Sequence, residues 1–372
     1  MSSKLKITFA LPGPGAKPMG GYKVVYEYAN HLSRKGHAVT VVHSARGCPR
    51  EMRLFDHAKN GIRYLQAAMS GNFRPDSWFP VDSDVRLMCV PSLSERWIPN
   101  ADVVIATAWL TAEWVSGYSA AKGRGFYLIQ GLETWYGQEE KVYSTWKAPL
   151  SKIVIANWLL DVAKRLGEAA VYIPNGLSAD EFQMDIPPEE RDPKHIMMLY
   201  HEGKWKGSAT GIEALSMVRL KEPDIRATLF GTSARPDALP PWIDYYQKPE
   251  RHLLRALYNQ SAIFVAPSLS EGWGLPSSEA MLCGTALVAT DIGGHREFAF
   301  HEETALLSPA QNPQSLSNNI LRLVRNPTLR VRLAMRGHTY IQRFTWKRSS
   351  DRLEAVLCER EINLPEFEGV SY

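Results

Sequence analysis

The chain has 372 residues, 45% hydrophobic and 22% charged, a globular balance that excludes a disordered or fibrous protein. That length exceeds what one hydrophobic core organises, so two domains are expected. Its 43 basic and 39 acidic residues leave a net charge of +4, too small and too dispersed to point to nucleic acid.

In chain order, Lys6–Leu11 (KITFAL) reads as a buried strand. Tyr22–Arg34 reads as a helix, with Val24, Val25, Tyr28, Ala29 and Leu32 at helical spacing. Gly36 ends that helix and His37–His43 is the next strand. Further strands are predicted at Ile62–Leu65, Val103–Ala106, Phe126–Ile129, Ile153–Ala156 and Val171–Ile173. Ser178–Lys194 is rich in proline and acidic residues and reads as a linker. A second alternation follows, with strands at His195–Tyr200, Arg226–Phe230, Ile263–Ala266 and Ala286–Ala289. Its helices are predicted at Ala209–Val218, Arg251–Tyr258, Ser277–Cys283, Leu316–Val324 and Leu329–Arg343. A last helix lies near Arg348–Leu357.

Strands separated by helices specify parallel, doubly wound α/β sheets. The expected organisation is a Rossmann-like N-terminal domain over 1–177, a linker over 178–194 and a Rossmann-like C-terminal domain over 195–345. The helix and tail over 346–372 are a candidate to pack back on the first domain. Ligands of such sheets bind at the carboxyl ends of the strands, so the loops there, facing a cleft between the halves, are where function is sought. Cys48, Cys89, Cys283 and Cys358 show neither metal-ligand spacing nor a disulfide framework, which suits a reducing compartment. The apolar stretch Ile7–Leu11 is too short for a signal sequence, and no window is long enough to span a membrane. A cytoplasmic protein is expected.

The most informative segment runs from Ala266 to Gly294. A strand leads into a loop carrying Glu271, Gly272, Trp273 and Gly274, and a helix opens at Leu275-Pro276. Proline is favoured in a first helical turn, whose free N–H groups and dipole make an anion site. The two glycines admit close approach of a ligand to the main chain. Glu279, just inside the helix, is placed to accept hydrogen bonds from vicinal ribose hydroxyls, and Glu271 to face the sugar. Glu271-Gly-Trp-Gly-Leu-Pro-Ser-Ser-Glu279, followed by Gly284-Thr-Ala-Leu-Val-Ala-Thr and Gly293-Gly294, resembles the E-x7-E signature of retaining glycosyltransferases of family 4. The resemblance implies a GT-B fold. It also implies that Glu279 binds the nucleotide ribose and Glu271 contacts the donor sugar. It extends from Gly20-Gly21 to about Arg343.

Gly20-Gly21, ahead of the first helix, is similar to the family's glycine pair beside the donor diphosphate, although alone it reads as a turn. Lys206, in His201-Glu-Gly-Lys204-Trp-Lys206-Gly207, matches the family's phosphate-binding lysine. The arginine that usually precedes it is replaced by His201 or Glu202, which leaves Lys204 as the candidate second cation. Gln130-Gly-Leu-Glu133-Thr-Trp135 resembles a Gln-x-x-Glu variant of polysaccharide-assembling members, some of which transfer rhamnose. The alternative is strand-end polar residues without a role. Asp82-Ser83-Asp84 has the D-x-D form of a different, metal-dependent fold but reads as a solvated loop. Asn259-Gln-Ser261 is a glycosylation sequon on paper only, and His37, His43 and His295 lack zinc-ligand spacing.

The resulting expectation is a metal-independent glycosyltransferase. It moves a sugar from a nucleoside diphosphate sugar, a co-substrate and not a cofactor, to an acceptor hydroxyl with retention. Lys206, Glu271, Gln130 and Glu133 are the candidate catalytic residues. Gly20, Gly21, Lys204, Lys206, Gly272, Trp273, Gly274, Leu275 and Glu279 are the candidate donor-binding residues. The expected acceptor is a carbohydrate, lipid-linked or small molecule, with peripheral membrane contact allowed. Lys17, Tyr22, Arg46, Arg50, Arg53 and Trp78 are candidate acceptor contacts, or ordinary surface. A nucleotide-sugar epimerase on the same fold and a non-catalytic nucleotide-sugar-binding protein are the alternatives.

Overall fold

The structure, a computed structural model, describes residues 4–45, 54–134 and 138–360. Arg46, Cys48, Arg50, Arg53, Trp135 and the tail 361–372 lie outside the described residues. The chain divides into two compact units: unit 1 holds Met1–Gly176 and Trp346–Tyr372, unit 2 holds Leu177–Thr345.

Unit 1 contains β1 (Lys6–Leu11), α1 (Gly20–Arg34), β2 (Ala38–Ser44), α2 (Leu54–Ser70), β3 (Arg86–Val90), β4 (Val103–Ala106) and α3 (Trp109–Val115). It continues with β5 (Arg124–Ile129), α4 (Glu139–Trp146), β6 (Ser151–Val154), α5 (Asn157–Arg165) and β7 (Ala170–Tyr172). Its strands form one parallel sheet in the order β3-β2-β1-β4-β5-β6-β7. Ile7 of the central β1 pairs with Val39 on one side and Val103 on the other. Strands covered on both faces read as near-continuous apolar runs, which is why VVIA and, after Lys6 and apart from Thr8, KITFAL announce themselves. The expected strand Ile62–Leu65 lies inside α2 instead, where Ile62, Leu65 and Met69 recur at helical spacing. The third strand is β3, a half-buried edge strand without a clean apolar pattern.

Unit 2 contains β8 (His195–Leu199), α6 (Ser208–Lys221), β9 (Arg226–Gly231), β10 (Ile243–Gln247), α7 (Arg251–Gln260) and β11 (Ile263–Ala266). It continues with α8 (Leu275–Leu282), β12 (Ala286–Thr290), β13 (Ala305–Ser308), α9 (Pro313–Arg325) and α10 (Pro327–Ile341). The parallel order is β10-β9-β8-β11-β12-β13, so the two strands not anticipated, β10 and β13, are the sheet's edges. Ile196, Leu229, Val265, Val288, Leu215 and Leu333 lie in its core.

The segment 178–194 is not a free linker. It packs into unit 2, held by Arg191, 4% exposed. The guanidinium donates to the carbonyl oxygens of Ile186 (2.6 Å), Ser261 (3.1 Å) and Cys283 and to Thr285 Oγ1 (3.2 Å). Burial among these neutral acceptors pushes its pKa down to about 10. Asn259 of the sequon is 2% exposed: its Oδ1 accepts from the N–H groups of Asp185 and Ile186, so it anchors this segment. Leu177 N–H donates to Phe344 O (3.0 Å), and Leu177 bridges Thr345, so the two passages of the chain run side by side.

The last helix, α11 (Trp346–Leu357), belongs to unit 1. Trp346 meets Tyr28 of α1 edge-on at 5.6 Å, and Lys35 binds Asp351 and Glu354. Among the described residues no helix is long and apolar enough to cross a membrane.

Candidate active site

In each sheet the strand order reverses once, between β1 and β4 in unit 1 and between β8 and β11 in unit 2. Such switch points part the loops at the carboxyl ends of the two central strands, where ligands of open α/β sheets bind.

In unit 2 the loops that meet there carry Lys206 and Glu271. After β8 the chain makes a 3₁₀ turn over Lys204–Lys206 and ends it at Gly207 with φ 64°. A Cβ at Gly207 would lie 2.0 Å from Pro267 O, so only glycine lets the two loops close on each other. Leu269 N–H then donates to Trp205 O (2.7 Å), which ties the loops together. Lys206 Nζ consequently lies 2.7 and 2.8 Å from the two carboxylate oxygens of Glu271, and Ser268 Oγ donates to Oε1 (2.9 Å). Burial alone would raise the Glu271 carboxyl, but Lys206 and His295, with the Lys206 and Ser268 hydrogen bonds, hold it below its ordinary value. Leu199, Lys206, Ser268, Glu271, Pro276 and Ser277 line a pocket there.

The remaining donor-side candidates separate. Gly274, φ 102°, caps α8, and Pro276 occupies its first turn, so Gly272, Gly274 and Leu275 form the backbone entrance to that helix. Trp273 is not a ligand-facing side chain. It is 2% exposed, its indole N–H donates to Ser278 Oγ (2.9 Å), and its ring packs edge-on against Phe344 at 4.9 Å. Glu279 is 8% exposed inside α8, near Tyr258 and Cys283, and the pocket beside Lys206 does not include it. Lys204 is exposed, because residues two apart on a 3₁₀ turn point apart. His201 supplies no second cation. Its Nδ1 accepts from Gly203 N–H (2.9 Å), and burial and Lys206 lower its pKa, which keeps the ring neutral.

In unit 1, Gly20 and Gly21 open α1. The side-chain amide of Gln130, following β5, donates to Gly21 O (3.2 Å), and a Cβ at Gly21 would lie 3.4 Å from that amide. Glu133 Oε2 accepts from Trp109 N–H (2.7 Å) at the start of α3, and burial pushes its carboxyl up to about 7. Gly21, Gln130, Glu133 and Trp109 are thereby gathered around this switch point. Tyr22 and Trp78 are not free acceptor contacts. Tyr22 is buried, and Trp78 donates to Gly15 O (2.7 Å), bracing the loop after β1. Asp82 forms a bidentate pair with Arg34 (2.6 and 2.8 Å), which makes it a strut on α1.

Ser268 and His295 join this site without belonging to the Glu271–Glu279 motif. A polar residue just past β11, three positions before Glu271, was the available signal for Ser268.

Residues 180–339 match the model of the family Glycosyl transferases group 1. The chain is 33% identical over 155 residues to the D-inositol 3-phosphate glycosyltransferase of Rhodococcus erythropolis, which covers 41% of this chain and 34% of that protein. The chain thus spans about a third of that relative's length. Among solved structures, sucrose-phosphate synthase from Thermosynechococcus elongatus superposes with a TM-score of 0.70 at 17% identity, covering 96% of this chain and 99% of that one. Anabaena HepE in complex with UDP and glucose superposes with a TM-score of 0.73 at 15% identity, covering 95% and 100%. These likenesses, with two parallel Rossmann-like units, establish the GT-B fold.

Proposed function

We propose that this chain is a retaining glycosyltransferase that moves a sugar from a nucleoside diphosphate sugar to an acceptor hydroxyl, with unit 2 holding the donor. The observation that carries the reading is the Lys206–Glu271 pair at the unit 2 switch point, within the segment that matches the glycosyltransferase family. Lys206 and the N–H groups opening α8 suit a diphosphate, Glu271 the transferred sugar, and Glu279 the ribose. Reaction then depends on positioning and on neutralising charge on the leaving diphosphate, which itself helps deprotonate the acceptor on the same face of the sugar. On this reading a divalent cation is not required.

Gln130 and Glu133 support the finer reading of a polysaccharide-assembling, rhamnosyltransferase-like enzyme, acting on a carbohydrate, lipid-linked or small-molecule acceptor. The free thiols of Cys89, Cys283 and Cys358 accord with a reducing, cytoplasmic location, and peripheral contact with the inner membrane face would serve a lipid-linked acceptor. The test is a thermal-shift screen of nucleotide-sugars, since a ligand at 100 times its Kd stabilises by about 2.7 kcal/mol. A donor that raises the melting temperature should then be consumed only when an acceptor is present. Epimerisation without acceptor, or binding without turnover on any acceptor pool, would replace the reading.

A further inference from the structure

Behind the Glu271 loop lies an imidazole that the proposed function leaves unused. His295 follows β12 and is 1% exposed. Its neighbour Gly294 approaches the loop so closely that a Cβ there would lie 2.9 Å from Glu271 Cβ. His295 Nδ1 lies 2.8 Å from Thr290 O. A carbonyl oxygen only accepts, so Nδ1 carries the hydrogen and Nε2 of the neutral ring is a bare lone pair. Nε2 is buried and has no hydrogen-bond partner among the described residues. It sits beneath the cap of α8, where a Cβ on Gly274 would be 3.4 Å away. A buried acceptor left without a donor is costly, so this nitrogen is an unsatisfied basic site in the donor-free protein.

The reason to gain one lies in the pair in front of it. Lys206 spends its ammonium on both oxygens of Glu271, and the proposed function also asks it to face a diphosphate. Two of its three N–H groups are already committed to Glu271, so a diphosphate that draws the ammonium over loosens that hold, and a buried carboxylate that loses its cation is strongly disfavoured.

We infer that His295 takes up a proton at Nε2 when a nucleoside diphosphate sugar draws Lys206 away from Glu271, making His295 the positioning residue that keeps Glu271 ionised and in place while the donor is bound. This inference rests on the function proposed above. The step moves one proton from the acid form of the buffer to Nε2, leaving the buffer's conjugate base in solution, and no covalent bond in the donor changes. The charged groups bearing on the ring come from three elements: Glu271 after β11, Lys206 after β8, and Asp291 after β12, the last paired with Arg296. Burial and Lys206 favour the neutral ring, whereas Glu271 and Asp291 favour the charged one. Withdrawal of Lys206 removes the positive charge that opposes protonation of the ring.

The experiment is calorimetric titration of the full chain near neutral pH in buffers of different ionisation enthalpy. The ligand is whichever of UDP-glucose, GDP-mannose, ADP-glucose and dTDP-rhamnose gives the largest thermal shift. The diphosphate diester of these donors has no group titrating near neutrality, so any proton taken up belongs to the protein. Wild type should take up as much as about one proton per site. His295→Gln, whose amide can still donate to Thr290 O, should bind with uptake near zero. As a second arm that leaves His295 untouched, Lys206→Met should raise the His295 pKa in the ligand-free protein, read from its ring proton resonances. Binding without proton uptake in wild type, equal uptake in His295→Gln, or an unmoved His295 pKa in Lys206→Met would each overturn the inference alone. If none of the four donors shifts the melting temperature, the proposed function falls and the inference falls with it.

Discussion

The two switch points carry the same residue type in opposite electrostatic settings. In unit 2, Glu271 has Lys206 on both oxygens and Ser268 on one, and it stays ionised although it is largely buried. In unit 1, Glu133 accepts a main-chain N–H from Trp109, and burial pushes it up to about 7. One unit therefore presents a fixed negative charge and the other a carboxyl that changes charge near neutrality. Neighbours, not residue type, decide which is which. A fixed charge suits orienting a donor sugar, and a titrating one suits handling a proton.

The sharpest way to break the contrast is to take the cation from unit 2. Lys206→Met should strand Glu271 without its partner and remove charge from the proposed diphosphate site. A fall in kcat/KM of about 10²–10³ is expected, the range for losing one charge-stabilising donor. Steady-state kinetics with the donor found by thermal shift measure it, and an unchanged kcat/KM would contradict the role given to Lys206.

Unit 1 offers a pH test. An ordinary glutamate titrates near 4.5, whereas Glu133 in the fold titrates at about 7. Between those values the unfolded chain has released the proton that the folded chain still holds, so stability falls as pH rises through the window and is level above it. Glu133→Gln keeps an acceptor for Trp109 N–H and removes the titration. Above pH 7 the variant should be more stable than wild type by up to about 3 kcal/mol, with the gain vanishing at acidic pH. Melting temperatures of both proteins across that range decide it, and parallel curves would mean that Glu133 is not a raised carboxyl.

How much of this was legible in the sequence differs between strand and site. β1, β4 and β11 coincide with the predicted spans because central parallel strands are apolar along most of their length. β3 and β10 are half-exposed edge strands that lack that signature, whereas the edge strand β13 (ALLS) is buried, and its length does not set it apart from β4 and β11. Ile62–Leu65 reads as a strand because four residues (IRYL) fit either period, and only Met69 one turn on shows the helix. Glu271 and Lys206 stood out as motif residues, but their pairing spans 65 positions and depends on the closeness of Gly207 to Pro267. Trp273 shows the reverse error, since a motif cannot say which of its side chains turns inward onto Phe344.

The smallest effect is expected at Asp82 and Asp84. Asp82→Ala with Asp84→Ala should cost only the partly exposed pair with Arg34, about 0.2–1 kcal/mol, and activity should persist in excess chelator. Loss of activity in chelator, restored by magnesium or manganese, would move the neutralising charge from Lys206 to a metal.

On the proposed function, unit 2 divides the donor between two glutamates, ribose to Glu279 and sugar to Glu271. Calorimetry with the intact nucleotide-sugar and with its free nucleoside diphosphate, on wild type, Glu279→Gln and Glu271→Gln, tests it most directly when paired with single-turnover rates. Glu279→Gln should weaken both ligands by about tenfold or more, as expected for a lost hydrogen bond to a charged acceptor worth about 1.5–3 kcal/mol. Glu271→Gln should not weaken the free nucleotide and should slow turnover of the donor. Equal losses for both ligands in both variants, or undiminished affinity in Glu279→Gln, would contradict the account.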